Sequence, residues 1–300
     1  MTPLRRRRSA VPAPAPFVVG VGRSGTTLLR LMLDAHPELA IPPETHFAPG
    51  LIERAHEGAG ADALVDEIVG TRAWADFGIQ AERLRERVTA LEEGGAATVL
   101  RAFYGLCAER EGKPRWGDKT PIYVRSMRPI GAELPEARFV HLIRDGRDVV
   151  LSRRARGMGA GKPIADTADR WRRRIEEART QARRLRGRYL ELRYEDLVTR
   201  PEPQLRRVCE LIELDYAAAM LDYHKRAGGR LAELGDLPAE GGRRGRASAE
   251  RQASHALAAG PPTSARTGAW REQMSSADRA EFEAVAGGLL VELGYEVPSS

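Results

Sequence analysis

Short apolar runs alternate with longer stretches of helical periodicity along this chain. Three runs predict buried strands, at residues 17–19, 138–143 and 189–192. Between the strands apolar residues recur at helical spacing. In residues 26–35, for example, Leu28, Leu29, Met32 and Leu33 form one face. Strands separated by helices predict an α/β fold with a parallel sheet and helices on both faces.

The rest of the chain reads mainly as helix, with one exception. Amphipathic helices broken by glycines are predicted in residues 47–110, and further helices at about 145–156, 165–185, 201–225 and 276–293. Residues 228–267 are rich in Gly, Ala, Arg and Pro and show little periodicity. We expect this segment to be a mobile lid or a disordered stretch.

Composition adds limits on the size and the partners of the fold. The 300 residues are 42% hydrophobic, and no linker interrupts the middle, so residues 17–300 are predicted to form one domain. Residues 1–16, with Arg5 to Arg8 followed by prolines, are predicted to be a disordered basic tail. The net charge of +6 suits an anionic ligand, but also fits nucleic acid or a membrane surface.

Cysteine usage and hydropathy indicate a cytoplasmic protein. Cys107 and Cys209 lie in apolar helical stretches without a Cys or His partner at metal-ligand spacing, so we expect buried thiols and no metal. No apolar run approaches the roughly 20 residues of a membrane span.

The first predicted strand leads into a glycine-rich loop that opens a helix. Its spacing is that of the phosphate loop G-x-x-x-x-G-K-[ST], with Thr26 at the lysine position. Backbone N–H groups and the helix N-terminus would still attract a phosphate. Hydroxyls of Ser24, Thr26 and Thr27 can add hydrogen bonds, and Arg23 supplies a cation. A nucleoside triphosphatase needs the lysine on its phosphates, so this loop disfavours one.

A second candidate anion site follows the strand at 138–143. Arg144, Asp148, Ser152 and Arg156 are spaced four apart and are predicted to share one helical face. One interpretation is an exposed face tied by an Arg144–Asp148 ion pair, which would contribute only about 0.3–0.5 kcal/mol. The other is a phosphate site made by Arg144, Ser152 and Arg156, since guanidinium and hydroxyl donors suit a phosphate monoester.

Several segments together resemble a known family. Arg23-Ser24-Gly25-Thr26-Thr27, Leu33-Asp34-Ala35-His36-Pro37, Glu44-Thr45 and Tyr194-Glu195-Asp196-Leu197 resemble the sulfotransferases that use 3′-phosphoadenosine 5′-phosphosulfate (PAPS). The resemblance is closest to the tyrosylprotein sulfotransferase branch and its bacterial relatives, and it weakens after about residue 225. It implies a parallel sheet like that of the P-loop nucleotide hydrolases, PAPS as co-substrate, adenosine 3′,5′-bisphosphate (PAP) as product, no metal, and a bacterial source.

The resemblance also implies roles for individual residues. The loop residues Arg23, Ser24, Gly25, Thr26 and Thr27 would bind the 5′ end of the donor. The 3′-phosphate would be bound by Arg144, Ser152 and Arg156, and Tyr194 would contact the donor. Lys119, in a Gly/Asp/Thr/Pro turn, would join Arg23 in stabilising charge on the sulfuryl group. Arg266 is a further candidate for a donor contact from the lid.

Sulfuryl transfer needs a base for the acceptor hydroxyl. Glu44 is the candidate, because its position relative to Arg23 matches the base of the tyrosylprotein branch. His46 and His36 are rivals, and His36 before Pro37 also suits a helix end. A third interpretation makes Glu44 a solvated loop carboxylate or an N-cap for the helix near Phe47.

The acceptor stays open among peptide tyrosines, lipids, sugars and secondary metabolites, and so does a homodimer. Two other classes compete with a sulfotransferase. A P-loop kinase or NTPase would bind ATP with Mg²⁺. A nucleic-acid-binding protein would use the arginines at 170–188, but Glu176 and Glu177 interrupt them, so a solvated ion-paired face is favoured and no nucleic-acid partner is expected.

Overall fold

Parallel strands form the centre of the molecule. The computed structural model describes residues 12–91, 94–158, 161–242 and 244–297. Within them lie the strands β1 (Ala15–Gly20), β2 (Leu39–Ala40), β3 (Arg115–Trp116), β4 (Asp118–Lys119), β5 (Ala137–Ile143) and β6 (Tyr189–Arg193). The main sheet is parallel throughout and has the order β4-β1-β5-β6, while β2 pairs with β3 in a separate parallel ladder.

Helices cover both faces of the main sheet, as the apolar runs require. Phe17 and Val19 of β1 pack on one face with the helices of residues 48–133, and Val18 packs on the other with residues 28–35 and 197–231. Each of these three side chains is completely buried. A strand buried on both faces reads as a continuous apolar run, which is why residues 17–19 were recognisable.

The helices follow in chain order and connect the strands. They are α1 (Thr26–Asp34), α2 (Ala48–His56), α3 (Ala61–Val69), α4 (Ala81–Thr89), α5 (Ala96–Arg110), α6 (Met127–Glu133), α7 (Gly146–Arg154), α8 (Ile164–Ala182), α9 (Tyr194–Thr199), α10 (Pro201–Leu211), α11 (His224–Ala232), α12 (Ser248–Ala253), α13 (Trp270–Gln273) and α14 (Ser276–Glu292). None in the described ranges is both long and apolar enough to cross a bilayer.

The segments that the sequence predicts to bind ligands lie together at one edge of the sheet. The glycine-rich loop follows β1, Thr120 follows β4, Arg144 follows β5, and Tyr194 follows β6. All four strands run in the same direction, so their carboxyl ends lie side by side. Ligands of open α/β sheets bind at this edge.

The predicted α/β architecture is confirmed, with differences in detail. β1 begins at Ala15, two residues earlier than expected, because Ala15 and Pro16 pair with β5. Most of the predicted basic tail, residues 1–11, lies outside the described residues. The two-residue strands β2, β3 and β4 were not predicted, since so short a segment shows no periodicity.

Residues 228–267 contain more structure than their composition indicated. The end of α11 and all of α12 lie in this segment, and a 3-10 turn spans Ala256–Ala258. Arg251 donates to Asp76 Oδ1 and Oδ2 at 2.9 and 2.5 Å, and both side chains are buried. The segment is therefore packed on the helical layer in this conformation, and lid movement stays a prediction.

Candidate active site

The glycine-rich loop between β1 and α1 presents its backbone to an open cavity. Gly25 is the N-cap of α1, has φ 91°, and no side chain caps the helix. A Cβ at Gly25 would lie 2.4 Å from the ring of Tyr194, so only glycine fits. Arg23 also has a left-handed φ of 81°, which is unusual for a non-glycine residue. The free N–H groups at this helix start are available to an anion.

The second anion cluster lies directly beside the loop. Arg23 Nε donates to Ser152 Oγ at 3.3 Å, although the two residues are 129 positions apart. Arg144 donates to the carbonyl of Arg23 at 3.2 Å and to that of Arg266 at 2.7 Å. The structure thus brings together Arg23, Arg144, Ser152 and Arg266, and Arg156 lines the same cavity.

Several like charges converge on this cavity. Burial, and then the nearby Arg156, Arg144 and Arg266, lower the pKa of Arg23 to about 10. Such crowding of guanidinium groups costs free energy unless an anion neutralises it. The arrangement therefore favours binding of a multiply charged anion.

Two expectations about the second cluster were wrong in geometry. Arg144 precedes α7 and Arg156 follows it, so the four residues do not share one helical face. α7 ends at Arg154 with Ala155 as its C-cap, and Gly157, in the turn that follows, has a φ of 67°, in the left-handed region that glycine favours. Arg144 and Asp148 are buried rather than exposed, and their charged atoms are 3.9 Å apart.

Asp148 instead fixes the C-terminal segment that carries Arg266. Its carboxylate accepts from the N–H groups of Gly268 at 2.8 Å and Trp270 at 3.0 Å. These bonds place the segment 261–266 along the cavity wall. Arg266 therefore reaches the site through an anchor that sequence spacing did not indicate.

Lys119 and Glu44 form an ion pair at the edge of the cavity. Lys119 Nζ lies 2.5 Å from Glu44 Oε1 and 3.4 Å from Thr27 Oγ1. The sequence suggested that Lys119 lies in a turn. It belongs instead to β4 and pairs with Val18 of β1. The sheet therefore fixes its backbone beside the glycine-rich loop.

The surroundings of Glu44 hold its carboxylate in the charged form. Burial would raise the pKa of Glu44, but Lys119 and His46 outweigh burial and hold it well below its usual range. His46 Nε2 lies 3.0 Å from Glu44 Oε2. The alternative N-cap role is wrong, because Phe47 occupies the N-cap of α2 and no side chain caps it.

His36 lies outside this cavity. Its Nδ1 accepts from the Glu38 N–H at 3.0 Å, so Nε2 carries the proton and donates to the Asp215 carbonyl at 2.8 Å. Both ring nitrogens are thus used at the end of α1. Tyr194, by contrast, lines the cavity, and the Arg144 guanidinium lies 4.8 Å from its ring centroid.

His255 is a site residue that sequence reasoning missed. Its Nδ1 lies 3.2 Å from Thr27 Oγ1. Since Lys119 donates to that hydroxyl, the single hydroxyl proton of Thr27 is directed to His255, whose ring then carries its proton on Nε2. Burial, followed by the charge of Lys119, lowers the pKa of His255 to about 3. The ring is therefore a neutral donor, and no periodic signal in residues 241–267 pointed to it.

Two cavities meet at these residues. The first, about 520 Å³, is lined by the glycine-rich loop, the arginine cluster, Tyr194 and residues 261–266. The second, about 760 Å³, is lined by parts of α11, the turn at 70–73 and α12. Thr27, Glu44, His46, Ile122, Ser254 and His255 border both cavities. Two ligands could therefore meet at Glu44.

Possible metal ligands do not cluster in the described ranges. No group of three or more His, Cys, Asp or Glu side chains could hold an ion there. Cys107 and Cys209 are both buried and free.

A buried polar cluster lies behind Glu44 and Lys119. Asp118 Oδ2 accepts from Thr45 Oγ1 at 2.8 Å and from the Tyr104 hydroxyl at 3.0 Å. Its Oδ1 is buried without a partner in the part of the chain that the structure describes. Burial raises the pKa of Asp118 from 3.8 to about 6, although these hydrogen bonds oppose the shift. Thr45 and Asp118 are chain neighbours of Glu44 and Lys119, so this cluster positions both.

This raised pKa makes stability depend on pH. When a carboxyl binds its proton more tightly in the folded state than in the unfolded state, the protein loses stability as pH rises through about 4 to 6. The unfolding free energy of Asp118→Asn, minus that of the native chain, should therefore increase by about 2–3 kcal/mol from pH 4 to pH 7.5. Urea unfolding at both pH values measures this, with the exposed Asp62→Asn as control. A difference that does not change with pH would contradict the assignment.

The structure is an α/β protein with a glycine-rich loop after its first strand and two adjoining cavities beside that loop. The sulfotransferase family model matches residues 14–218, so the chain belongs to the sulfotransferase family. The resemblance expected from sequence is thereby confirmed.

Relatives and solved structures agree with this family. The chain is 29% identical over 221 residues to protein-tyrosine sulfotransferase 1 of Danio rerio, covering 72% of this chain and 57% of that protein. It is 30% identical over 217 residues to a putative protein-tyrosine sulfotransferase of Caenorhabditis briggsae, covering 71% and 70%. The chain thus spans little more than half the length of the Danio rerio protein.

Two solved sulfotransferase domains share the fold over nearly the whole chain. The one from the curacin biosynthetic pathway has a TM-score of 0.61 and 18% identity, covering 96% of this chain and 100% of that chain. The one from the Synechococcus PCC 7002 olefin synthase has a TM-score of 0.60 and 24% identity, covering 99% and 100%. Identity this low supports the fold alone.

Proposed function

We propose that this protein transfers a sulfuryl group from PAPS to a hydroxyl of an acceptor. The observation that carries the proposal is the 3.3 Å contact between Arg23 Nε and Ser152 Oγ. It joins the glycine-rich loop and the second anion cluster in one cavity, as a nucleotide with phosphates on both sides of its ribose requires. ATP has no 3′-phosphate for the second cluster to bind.

The residues divide into donor-binding and reacting groups. The loop amides and the hydroxyls of Ser24, Thr26 and Thr27 would bind the 5′ end of the donor. Arg144, Ser152, Arg156 and Arg266 would bind the 3′-phosphate, and Tyr194 would contact the nucleoside. No step requires a metal ion, since guanidinium and ammonium groups supply the positive charge.

The transfer itself would be an in-line displacement at sulfur. Glu44 accepts the proton of the acceptor hydroxyl as the oxygen forms its bond to sulfur. The bond from sulfur to the bridging oxygen breaks, and PAP leaves with the bonding electrons. Arg23 and Lys119 stabilise the negative charge that develops on the sulfuryl and phosphate oxygens.

The ion pair between Lys119 and Glu44 would serve as the resting state. Before the donor binds, Lys119 holds the pKa of Glu44 low and thereby makes it a weak base. A sulfuryl group within reach would compete for the Lys119 ammonium group. Glu44 would then lose its strongest stabilising charge and become a better base at the moment of reaction.

The second cavity would hold the acceptor. It borders Glu44 and is built from helices and from the segment 228–267, which we propose acts as a lid within a single domain. A small-molecule or peptidyl hydroxyl would enter there. The protein-tyrosine sulfotransferases among the relatives make a phenolic hydroxyl a reasonable first choice.

Ligand-induced stabilisation separates this proposal from its alternatives. A ligand at 100 times its Kd stabilises the folded state by about 2.7 kcal/mol. We expect PAP to raise the melting temperature, and ATP with Mg²⁺ or an oligonucleotide to have little effect. Labelled PAPS with phenolic, sugar and peptide acceptors then tests transfer. Stabilisation by ATP–Mg²⁺ alone would favour a kinase, and stabilisation by the oligonucleotide alone a nucleic-acid-binding protein.

A specific observation weighs against nucleic-acid binding through α8. Arg172 pairs with Glu176 at 2.9 Å, Arg173 pairs with Asp169, and Arg179 pairs with Glu191 at 2.8 Å. Guanidinium groups held in ion pairs release less energy on contact with phosphates.

A further inference from the structure

The first cavity has more arginines on its wall than the donor needs. Arg23, Arg144, Arg156 and Arg266 are assigned above to the donor. Arg153 of α7 and Arg170 and Arg174 of α8 line the same cavity and have no role in that assignment. Arg170 and Arg174 are four residues apart and so share a face of α8.

This second group of arginines is poorly neutralised. Among the described residues, no carboxylate lies within ion-pair distance of Arg153 or Arg170, and Arg174 meets only Glu177 at 3.9 Å. Burial and the charge of Arg170 lower the pKa of Arg153. Burial and then Arg125 lower the pKa of Arg174. These cations are therefore held close together without a matching anion.

Two other arginines of α8 form close ion pairs with carboxylates of the same helix. Arg172 and Arg173 both contact Asp169, and Arg172 also contacts Glu176. Among the described residues, the two arginines on the face of α8 turned to the cavity thus have a single distant carboxylate partner, Glu177, whereas Arg172 and Arg173 are closely paired. An arginine excess that reflected composition alone would not place closely ion-paired arginines on one face of α8 and poorly paired ones on the other.

Apolar side chains lie on the same cavity wall. Ile122 and Leu257 are 44% and 54% exposed, and both line the cavity. Ile122 also borders the second cavity, next to Glu44. The cavity that contains these guanidinium groups therefore also offers apolar surface to a ligand.

We propose that Arg153, Arg170 and Arg174 form a subsite for a phosphoryl group carried by the acceptor. The proposal rests on the proposed function and names the chemical class of its second substrate. Guanidinium groups bind phosphate oxygens in a bidentate manner. A cluster of several guanidinium groups therefore suits a phosphoryl dianion better than it suits a ligand with a single carboxylate. The acceptor is then a hydroxyl compound with an apolar body and a phosphate at its far end.

A binding experiment on PAP-saturated protein tests this subsite without requiring turnover. The probes are phenylphosphonate, benzamide as its neutral counterpart, and inorganic phosphate, each titrated calorimetrically. We expect phenylphosphonate to bind one to one, benzamide not to bind, and inorganic phosphate to bind at least about tenfold more weakly, since it lacks the apolar body. Arg170→Gln/Arg174→Gln should weaken phenylphosphonate binding by about tenfold or more, because it removes two charged donors.

The control lies on the same helix. Arg172→Gln/Arg173→Gln removes the same charge from the paired face and should leave phenylphosphonate binding unchanged. No phenylphosphonate binding, or equal losses in both double variants, would overturn the subsite. Inorganic phosphate binding as tightly as phenylphosphonate would overturn the acceptor assignment and indicate a free-anion site.

A separate PAP titration of the same preparations keeps the two proposals apart. Failure of PAP to bind the native chain contradicts the proposed function. Normal PAP binding by Arg170→Gln/Arg174→Gln shows that these arginines are not part of the donor site. A loss of PAP affinity in that variant would instead assign them to the donor and overturn the subsite.

Discussion

Replacing Glu44 with glutamine is expected to reduce turnover by about 10²–10⁴-fold, the usual contribution of a general base. Glutamine keeps the size of the side chain but cannot accept the hydroxyl proton. Affinity for PAP should be unchanged or somewhat higher, because Lys119 loses the carboxylate that neutralises it at 2.5 Å. Single-turnover transfer from labelled PAPS measures the first effect, and calorimetric titration with PAP measures the second.

Two further variants make this test specific. Glu38→Gln changes an exposed glutamate outside the cavity and should behave as the native chain. His46→Gln examines the rival base, whose side chain is 58% exposed. Near-normal turnover in Glu44→Gln together with a large loss in His46→Gln would transfer the role to His46.

Replacing Lys119 with alanine is expected to lower turnover by about 10²–10³-fold, as for loss of one preorganised donor to a developing oxyanion. The side chain is only 4% exposed, so bulk water cannot readily supply the missing charge. Because Lys119 is the strongest influence holding the pKa of Glu44 down, that pKa should rise in the variant. The acidic limb of the rate profile would then move to higher pH.

Lys225 provides the matched control for this substitution. It is 65% exposed and pairs with Asp222 at 2.9 Å on the surface. Lys225→Ala should leave both the rate and its pH profile unchanged. If Lys119→Ala lowered the rate without moving the acidic limb, the proposed coupling between Lys119 and Glu44 would be wrong.

Local sequence was sufficient to predict the glycine-rich loop and the helix that follows it. The glycine-rich loop is a continuous segment between a buried strand and a helix, so its spacing carries its geometry. The parallel sheet also implied that loops after neighbouring strands would meet at one edge. That Arg23 touches Ser152 could not be read from spacing, because it depends on β1 and β5 being neighbours.

The remaining site depends on contacts between distant segments. His255 reaches Thr27 across 228 positions, and α12 is held by the contact of Arg251 with Asp76 across 175 positions. Such contacts leave no periodic pattern in the sequence. Arg156 was assigned to a helix because its spacing continued the series, whereas α7 ends two residues earlier, at Arg154.

Calorimetric titration of PAP and of 5′-AMP tests most directly whether both anion clusters bind a single nucleotide. We expect the native chain to bind PAP about 100-fold more tightly than 5′-AMP, since the 3′-phosphate adds charged hydrogen bonds of about 1.5–3 kcal/mol each. Ser152→Ala combined with Arg156→Ala should remove most of this preference and leave 5′-AMP affinity unchanged. Equal affinity of the native chain for the two nucleotides would contradict the proposal that both anion clusters bind one nucleotide.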